Sequence, residues 1–151
     1  MEMDLFNSMV AEVRVSLYPK GSIKDRPTVN RSTDAEEYFR LGWEDLSYCE
    51  SFKVMFLNRA NKVIGIREIS KGGIVATVVD LRMIFQAALG VNATAMIVAH
   101  NHPSGNLTPS DADMRLTRRI KDAGVVMEIN LLDHLILAES GHYSFADNGM
   151  L

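Results

Sequence analysis

His100, His102 and Asp113 are the residues of this chain whose types and spacing point to chemistry. Side chains on an extended segment alternate between its two faces, so His100 and His102 project from one face and Asn101 from the other. Two neutral imidazoles and a carboxylate are the ligand set of hydrolytic zinc sites, which keep a fourth position open for water. Zinc held in this way lowers the pKa of such a water to about 7. Ligand type points to Zn²⁺ while also admitting iron, cobalt or manganese.

The elements that must position these residues are legible on either side of them. Ala93-Thr94-Ala95-Met96-Ile97-Val98-Ala99 is a short, almost wholly apolar run of the kind that forms a strand buried on both faces. The histidines then stand at its C-terminal end, where open α/β sheets place their ligands. Pro103-Ser104-Gly105 reads as a loop. A helix start follows, with Thr108 as the expected N-cap, Pro109 at the first helical position and Asp111 at the third, in the manner of a capping box. That helix carries Asp113 in its first turns, turns Leu116, Ile120 and Ala123 inward, and is expected to stop at Gly124.

The stretch His100-x-His102-Pro103, six residues, Ser110, two residues, Asp113 resembles the signature of the JAMM (MPN-type) metalloproteases. The wording His-Asn-His-Pro-Ser-Gly followed by Thr-Pro-Ser resembles the RadC branch, with Asn101 where deubiquitinating members usually carry Ser or Thr. The similarity extends from about Ser32 to the C-terminus, through Asn58-Arg59-Ala60-Asn61-Lys62-Val63-Ile64 and Leu132-Asp133-His134-Leu135. It implies a zinc-dependent hydrolase of amide bonds in a cytidine-deaminase-like architecture, with His100, His102 and Asp113 on the metal. It also implies that Glu50, at the start of an early strand, moves the proton between water and leaving group, with Glu44 and Glu68 as competitors, and that Ser110 helps hold the oxyanion. Full-length RadC-like chains carry a helix-hairpin-helix region ahead of this domain. Residues 1–31 are expected to be an extension that does not supply one, which weakens any DNA-binding role borrowed from the resemblance.

The rest of the chain is expected to form one α/β domain over residues 32–151, a mixed sheet flanked by about three helices. In the extension, residues 10–18 alternate apolar and polar and read as an edge strand. The first helix is expected from Ser32 or Thr33, with Thr33 and Glu36 as a capping box and Ala35, Phe39, Trp43 and Leu46 as its core face. A hairpin follows, Phe52, Val54 and Phe56 alternating with Lys53, Met55 and Leu57, with a turn at 58–61 and a return over 63–66. Lys71-Gly72-Gly73 interrupts the chain before a strand at 74–79. Asp80 caps a second helix whose stripe is Leu81, Ile84, Phe85, Ala88 and Leu89, ended by Gly90. Residues 125–138 read as one or two strands, and Ser140-Gly141 as a turn before a last one.

With 151 residues, 47% of them hydrophobic and 23% charged, the chain has the composition of a soluble globular domain. No apolar run approaches the roughly 20 residues of a membrane span, no secretory signal is evident, and a cytoplasmic location is expected. Cys49, the single cysteine, can form no internal disulfide and reads as a small buried residue rather than a nucleophile. A net charge of −3 argues against a dedicated nucleic-acid binder. Basic clusters at Lys20, Lys24, Arg26 and Arg31, and at Arg115, Arg118, Arg119 and Lys121, keep nucleic acid open as a partner beside the expected peptide or protein substrate. Asp133-His134 could supply a partner for a metal-bound histidine, whose other N–H usually goes to a carboxylate or carbonyl; His134 itself reads as a packed strand histidine, and neither it nor His142 is expected to bind the metal directly. Two other functional readings stand beside the hydrolase: a non-catalytic zinc-binding interaction module in DNA repair or recombination, and a protein acting on nucleic acid through its basic helix. Oligomeric state is undecided by any pattern.

Overall fold

The computed structural model describes residues 20–72 and 78–151. Within them the strand that carries the histidines, β3 (Ala95–Asn101), lies in the middle of a five-stranded sheet of order β2-β1-β3-β4-β5. Its antiparallel neighbour is β1 (Ser51–Leu57), which pairs on its other side with β2 (Val63–Lys71). On the opposite edge β3 runs parallel to β4 (Asn130–Ala138), which turns back into β5 (Gly141–Ser144). The sheet is therefore mixed, and the parallel step from β3 to β4 is crossed by a helix, as parallel neighbours require. The strand expected at 10–18 and residues 74–77 of the one expected at 74–79 lie outside the described residues; Val78 and Val79 belong to no strand.

Three α-helices cover the sheet: α1 (Ser32–Leu41), α2 (Leu81–Gly90) and α3 (Asp111–Met127). Strand alternation sorts the core into two layers. Phe52, Val54, Phe56, Met96 and Val98 face the side closed by Ile84, Phe85 and Ala88 of α2 and Ile120 of α3. Met55, Leu57, Ala95, Ile97 and Ala99 face the side closed by Ala35 and Phe39 of α1. Each large apolar side chain so buried contributes about 1.5–3 kcal/mol, and every residue of the histidine strand is buried. Val29 joins the second layer, and Thr28 bridges Lys62, so the chain just ahead of α1 packs on the sheet as well.

Several local expectations are corrected. Helix α1 is capped by the carboxylate of Asp34, which accepts from the backbone N–H groups of Asn30 and Arg31, while Glu36 pairs with Arg40 and His142 instead. Trp43 and Leu46 lie beyond the end of α1 but still pack on its core layer. Leu89 is exposed, because it sits on the outer face of α2. Helix α3 begins two residues later than expected: the N-cap is Ser110, not Thr108, and Asp113 rather than Asp111 completes the capping box.

Gly124 does not end α3, which runs on to Met127 and closes with Glu128 in the left-handed region at φ 56°. Its small size serves a close approach: a Cβ there would stand 2.4 Å from the carbonyl oxygen of Ile129. Alanine is the better helix former by up to about 1 kcal/mol, yet no real Cβ tolerates that distance from backbone. We expect Gly124→Ala to lower the free energy of unfolding by about 1–3 kcal/mol in urea denaturation. A variant as stable as wild type would show that the chain leaving α3 can yield.

Candidate metal centre

The end of β3 and the start of α3 meet over the first core layer. His100 is the penultimate residue of β3 and only 2% exposed, while His102 follows the strand and is 17% exposed. The Nε2 atoms of the two rings stand 2.9 Å apart. Asp113 brings Oδ1 to 3.2 Å from the His100 Nε2 and Oδ2 to 3.5 Å from the His102 Nε2. Its orientation follows from the capping box, in which the Ser110 N–H donates to Oδ2 at 2.7 Å and the Asp113 N–H donates to the Ser110 hydroxyl at 3.1 Å. A helix cap thus aims the third donor at the strand end.

Hydrogen-bond direction assigns the ring tautomers. Thr117, in α3, donates its single hydroxyl proton to the Asp113 carbonyl at 2.7 Å. The 2.6 Å contact between the Thr117 oxygen and Nδ1 of His134 must then be donated by the histidine. His134 is fully buried, and burial pushes its pKa well below the ordinary imidazole value, so the ring is neutral and its Nε2 carries a lone pair. That lone pair accepts from Nδ1 of His100 at 2.8 Å. The Nδ1 of His102 likewise donates to the Asn106 carbonyl. In their neutral forms His100 and His102 therefore both present bare Nε2 atoms.

Two lone pairs and a carboxylate converging on one point repel one another unless a cation lies among them. Ligands at 2.0–2.1 Å from a tetrahedral zinc stand about 3.3 Å from each other, and the separations of 2.9, 3.2 and 3.5 Å bracket that value. The donor set and its tautomers fit a metal ion, and the group His100, His102 and Asp113 could hold one. Burial alone would raise the pKa of Asp113, but the His100 and His102 rings, whenever they carry a proton on Nε2, and the Ser110 N–H outweigh it and hold the carboxyl far below its usual range. The hydrogen bond that a protonated His102 would donate to Asp113 raises the pKa of His102 against the opposing pull of burial, with the Asn106 carbonyl and the charges of Asp113 and Glu50 adding to it.

A cavity of about 530 Å³ opens over the site, and Glu50 and Ser110 line it together with the three donors. Glu44 and Glu68 line a different cavity, beside Trp43 and Cys49. The Ser110 oxygen accepts from Asp113, and among the described residues nothing accepts its proton, which leaves the O–H free to turn into the cavity. Cys49 is half-buried and away from the histidines. His142 pairs with Glu36 at 2.7 Å on the α1 side. Among the described residues Asp133 makes no hydrogen bond to His100 or His102; it accepts from the His134 and Ala146 N–H groups and the Ser144 hydroxyl, binding β4 to the end of β5 and the chain after it. His134 is both a packed strand residue, stacked on Phe145 at 4.7 Å, and the partner of His100. The Asp133-His134 pair inside an apolar run was its only sequence signal.

The RadC-like JAB domain family matches residues 29–150 of the chain. A UPF0758 protein of Flavobacterium johnsoniae is 50% identical over 101 residues, covering 67% of this chain and 44% of that protein. One from Syntrophomonas wolfei is 35% identical over 147 residues, 95% of this chain and 63% of the relative. One from Thiobacillus denitrificans is 46% identical over 115 residues, 76% and 51% of the two chains. The chain thus spans between 44% and 63% of the length of these relatives. Among the described residues no helix is long and apolar enough to cross a membrane.

The tautomer relay is open to direct measurement. Imidazole ¹⁵N spectra of the zinc-loaded protein are expected to show His134 protonated on Nδ1 alone; protonation on Nε2 would reverse the relay and contradict the assignment. His134→Ala, which leaves the His100 Nδ1–H without its acceptor, should weaken zinc binding about 10–100-fold in competition with a chromophoric chelator.

Proposed function

Because the chain belongs to the RadC-like JAB domain family, we propose that it is a zinc-dependent hydrolase cleaving an amide bond, in a peptide or an isopeptide. The observation that carries this reading is the convergence of the three donor atoms in a cavity that also holds Glu50 and Ser110. His100, His102 and Asp113 are the ligands. When bound, the ion supplies Lewis acidity that polarises a carbonyl and acidifies a water.

The chain's own side chains do the rest. The Glu50 carboxylate takes a proton from the attacking water as its oxygen bonds to the carbonyl carbon, then returns that proton to the amine nitrogen as the C–N bond breaks. The Ser110 hydroxyl, its lone pair occupied by the Asp113 N–H, donates its proton as a hydrogen bond to the developing oxyanion. The positive end of α3 faces the same cavity through Ser110 and Ala112 and favours negative charge there. His134 and Thr117 keep the His100 ring from rotating.

A second reading rests on Arg115, Arg118, Arg119 and Lys121, which are exposed along α3 and form no ion pair among the described residues. They offer a surface for phosphate, and DNA binding that weakens steeply with salt and disappears on neutralising the three arginines would favour a role on nucleic acid.

A fluorogenic peptide library tests the first reading. Chelation should abolish hydrolysis and zinc restore it. Glu50→Gln is expected to lose about 10²–10⁴-fold in rate with zinc content unchanged, and Ser110→Ala about 10²–10³-fold. Equal rates for wild type and Glu50→Gln would overturn the assignment of Glu50.

A further inference from the structure

Asn101 stands between the two histidines yet points away from them, into the sheet face covered by α1, and is completely buried. All the hydrogen-bonding capacity of its amide protons is spent on one neighbouring segment. Its Nδ2 donates to the carbonyls of Leu46 at 2.8 Å and Cys49 at 2.9 Å, and its Oδ1 accepts from the Ser51 N–H at 2.7 Å. The three partners are backbone atoms on either side of Glu50. Residues 42–50 belong to no helix or strand, so no ladder or helical repeat holds them. Among the described residues the Glu50 carboxylate makes no hydrogen bond or ion pair, so only its backbone locates it. That backbone has one further tie, from the Gly72 N–H to the Glu50 carbonyl at 2.8 Å.

We infer that Asn101 is a positioning residue for Glu50: its buried amide fastens the Glu50-bearing segment to the strand that bears the metal ligands. The inference rests on the hydrolase reading above. Within three consecutive residues, His100 and His102 present ligands on one face while Asn101 anchors the proton carrier from the other. The antiparallel register sets this up, because Phe52 lies opposite His100 and the chain just before it runs alongside the residues that follow. A proton carrier must come within hydrogen-bond reach of its water, and a displacement of 1 Å costs about 10²-fold in rate. Serine is too short to span three partners, and aspartate lacks both N–H donors.

The test reads the position of Glu50 without using turnover. The holoprotein is loaded with Co²⁺ and labelled with ¹³C in its glutamate carboxyl groups; the carboxyl signal shifted by the paramagnetic ion and missing in Glu50→Gln belongs to Glu50. In Asn101→Ser that shift is expected to fall at least twofold while the hyperfine-shifted ring signals of His100 and His102 stay in place. A Glu50 shift equal in wild type and variant would overturn the positioning role and leave the metal site standing. A wild type that takes up no Co²⁺, or shows no shifted glutamate, would overturn the hydrolase reading and this role with it. Should Asn101→Ser not fold, the wild type decides: Ser51 is expected to exchange its amide proton at least a hundredfold more slowly than an unstructured peptide, and free exchange there would overturn the clamp.

Discussion

Full burial obliges both ring nitrogens of His134 to find partners, and that demand organises the end of the sheet that carries the candidate metal centre. His134 has no solvent to turn to, so one nitrogen donates to Thr117 and the other accepts from His100. Because Thr117 has spent its proton on the Asp113 carbonyl, every bond in the series has a fixed direction. The series begins and ends at residues of the candidate metal centre: the backbone of Asp113 at one end, the ring of His100 at the other. Two elements, β3 and α3, are thereby joined through a third, β4, by bonds that also leave the Nε2 of a neutral His100 free to coordinate.

The sheet makes this possible. Parallel pairing of β3 with β4 sets Val98 beside His134, and His100 two residues further on reaches the same layer. The helix that crosses between these strands must return over that layer, and its N-terminus arrives above the end of β3. The capping box then converts a general requirement, satisfying the first free N–H groups of a helix, into the aim of a particular carboxylate. Ser110 and Asp113 serve each other's backbone and the cavity at once.

The two faces of β3 have separate duties. One presents the histidines to the cavity, with Phe52 stacked on His100 at 6.3 Å. The other carries Ala99 into the core layer beneath α1 and ends in Asn101, which gathers the irregular segment after α1. A single strand end therefore serves ligands on one side and the segment bearing Glu50 on the other, both held by a core too apolar to let the strand slip.

What the sequence by itself determined was local. The i, i+2 pair of histidines, the apolar run before them, the acid on the following helix, and the hairpin and helix stripes are all set by periodicities of two and 3.6 residues, which need no distant partner. Even there, short-range signals misled: Thr108-Pro109 read as the helix start that Ser110 provides, and a glycine three residues from the helix end read as its stop. Tertiary structure alone decided that Gly124 faces the Ile129 carbonyl, that His134 touches His100, that Glu50 rather than Glu44 or Glu68 shares the histidines' cavity, and that Asn101 reaches Leu46, Cys49 and Ser51. Those contacts depend on strand order and register across dozens of residues, and a one-residue slip of register would send His100, Asn101 or His134 to the opposite face of the sheet.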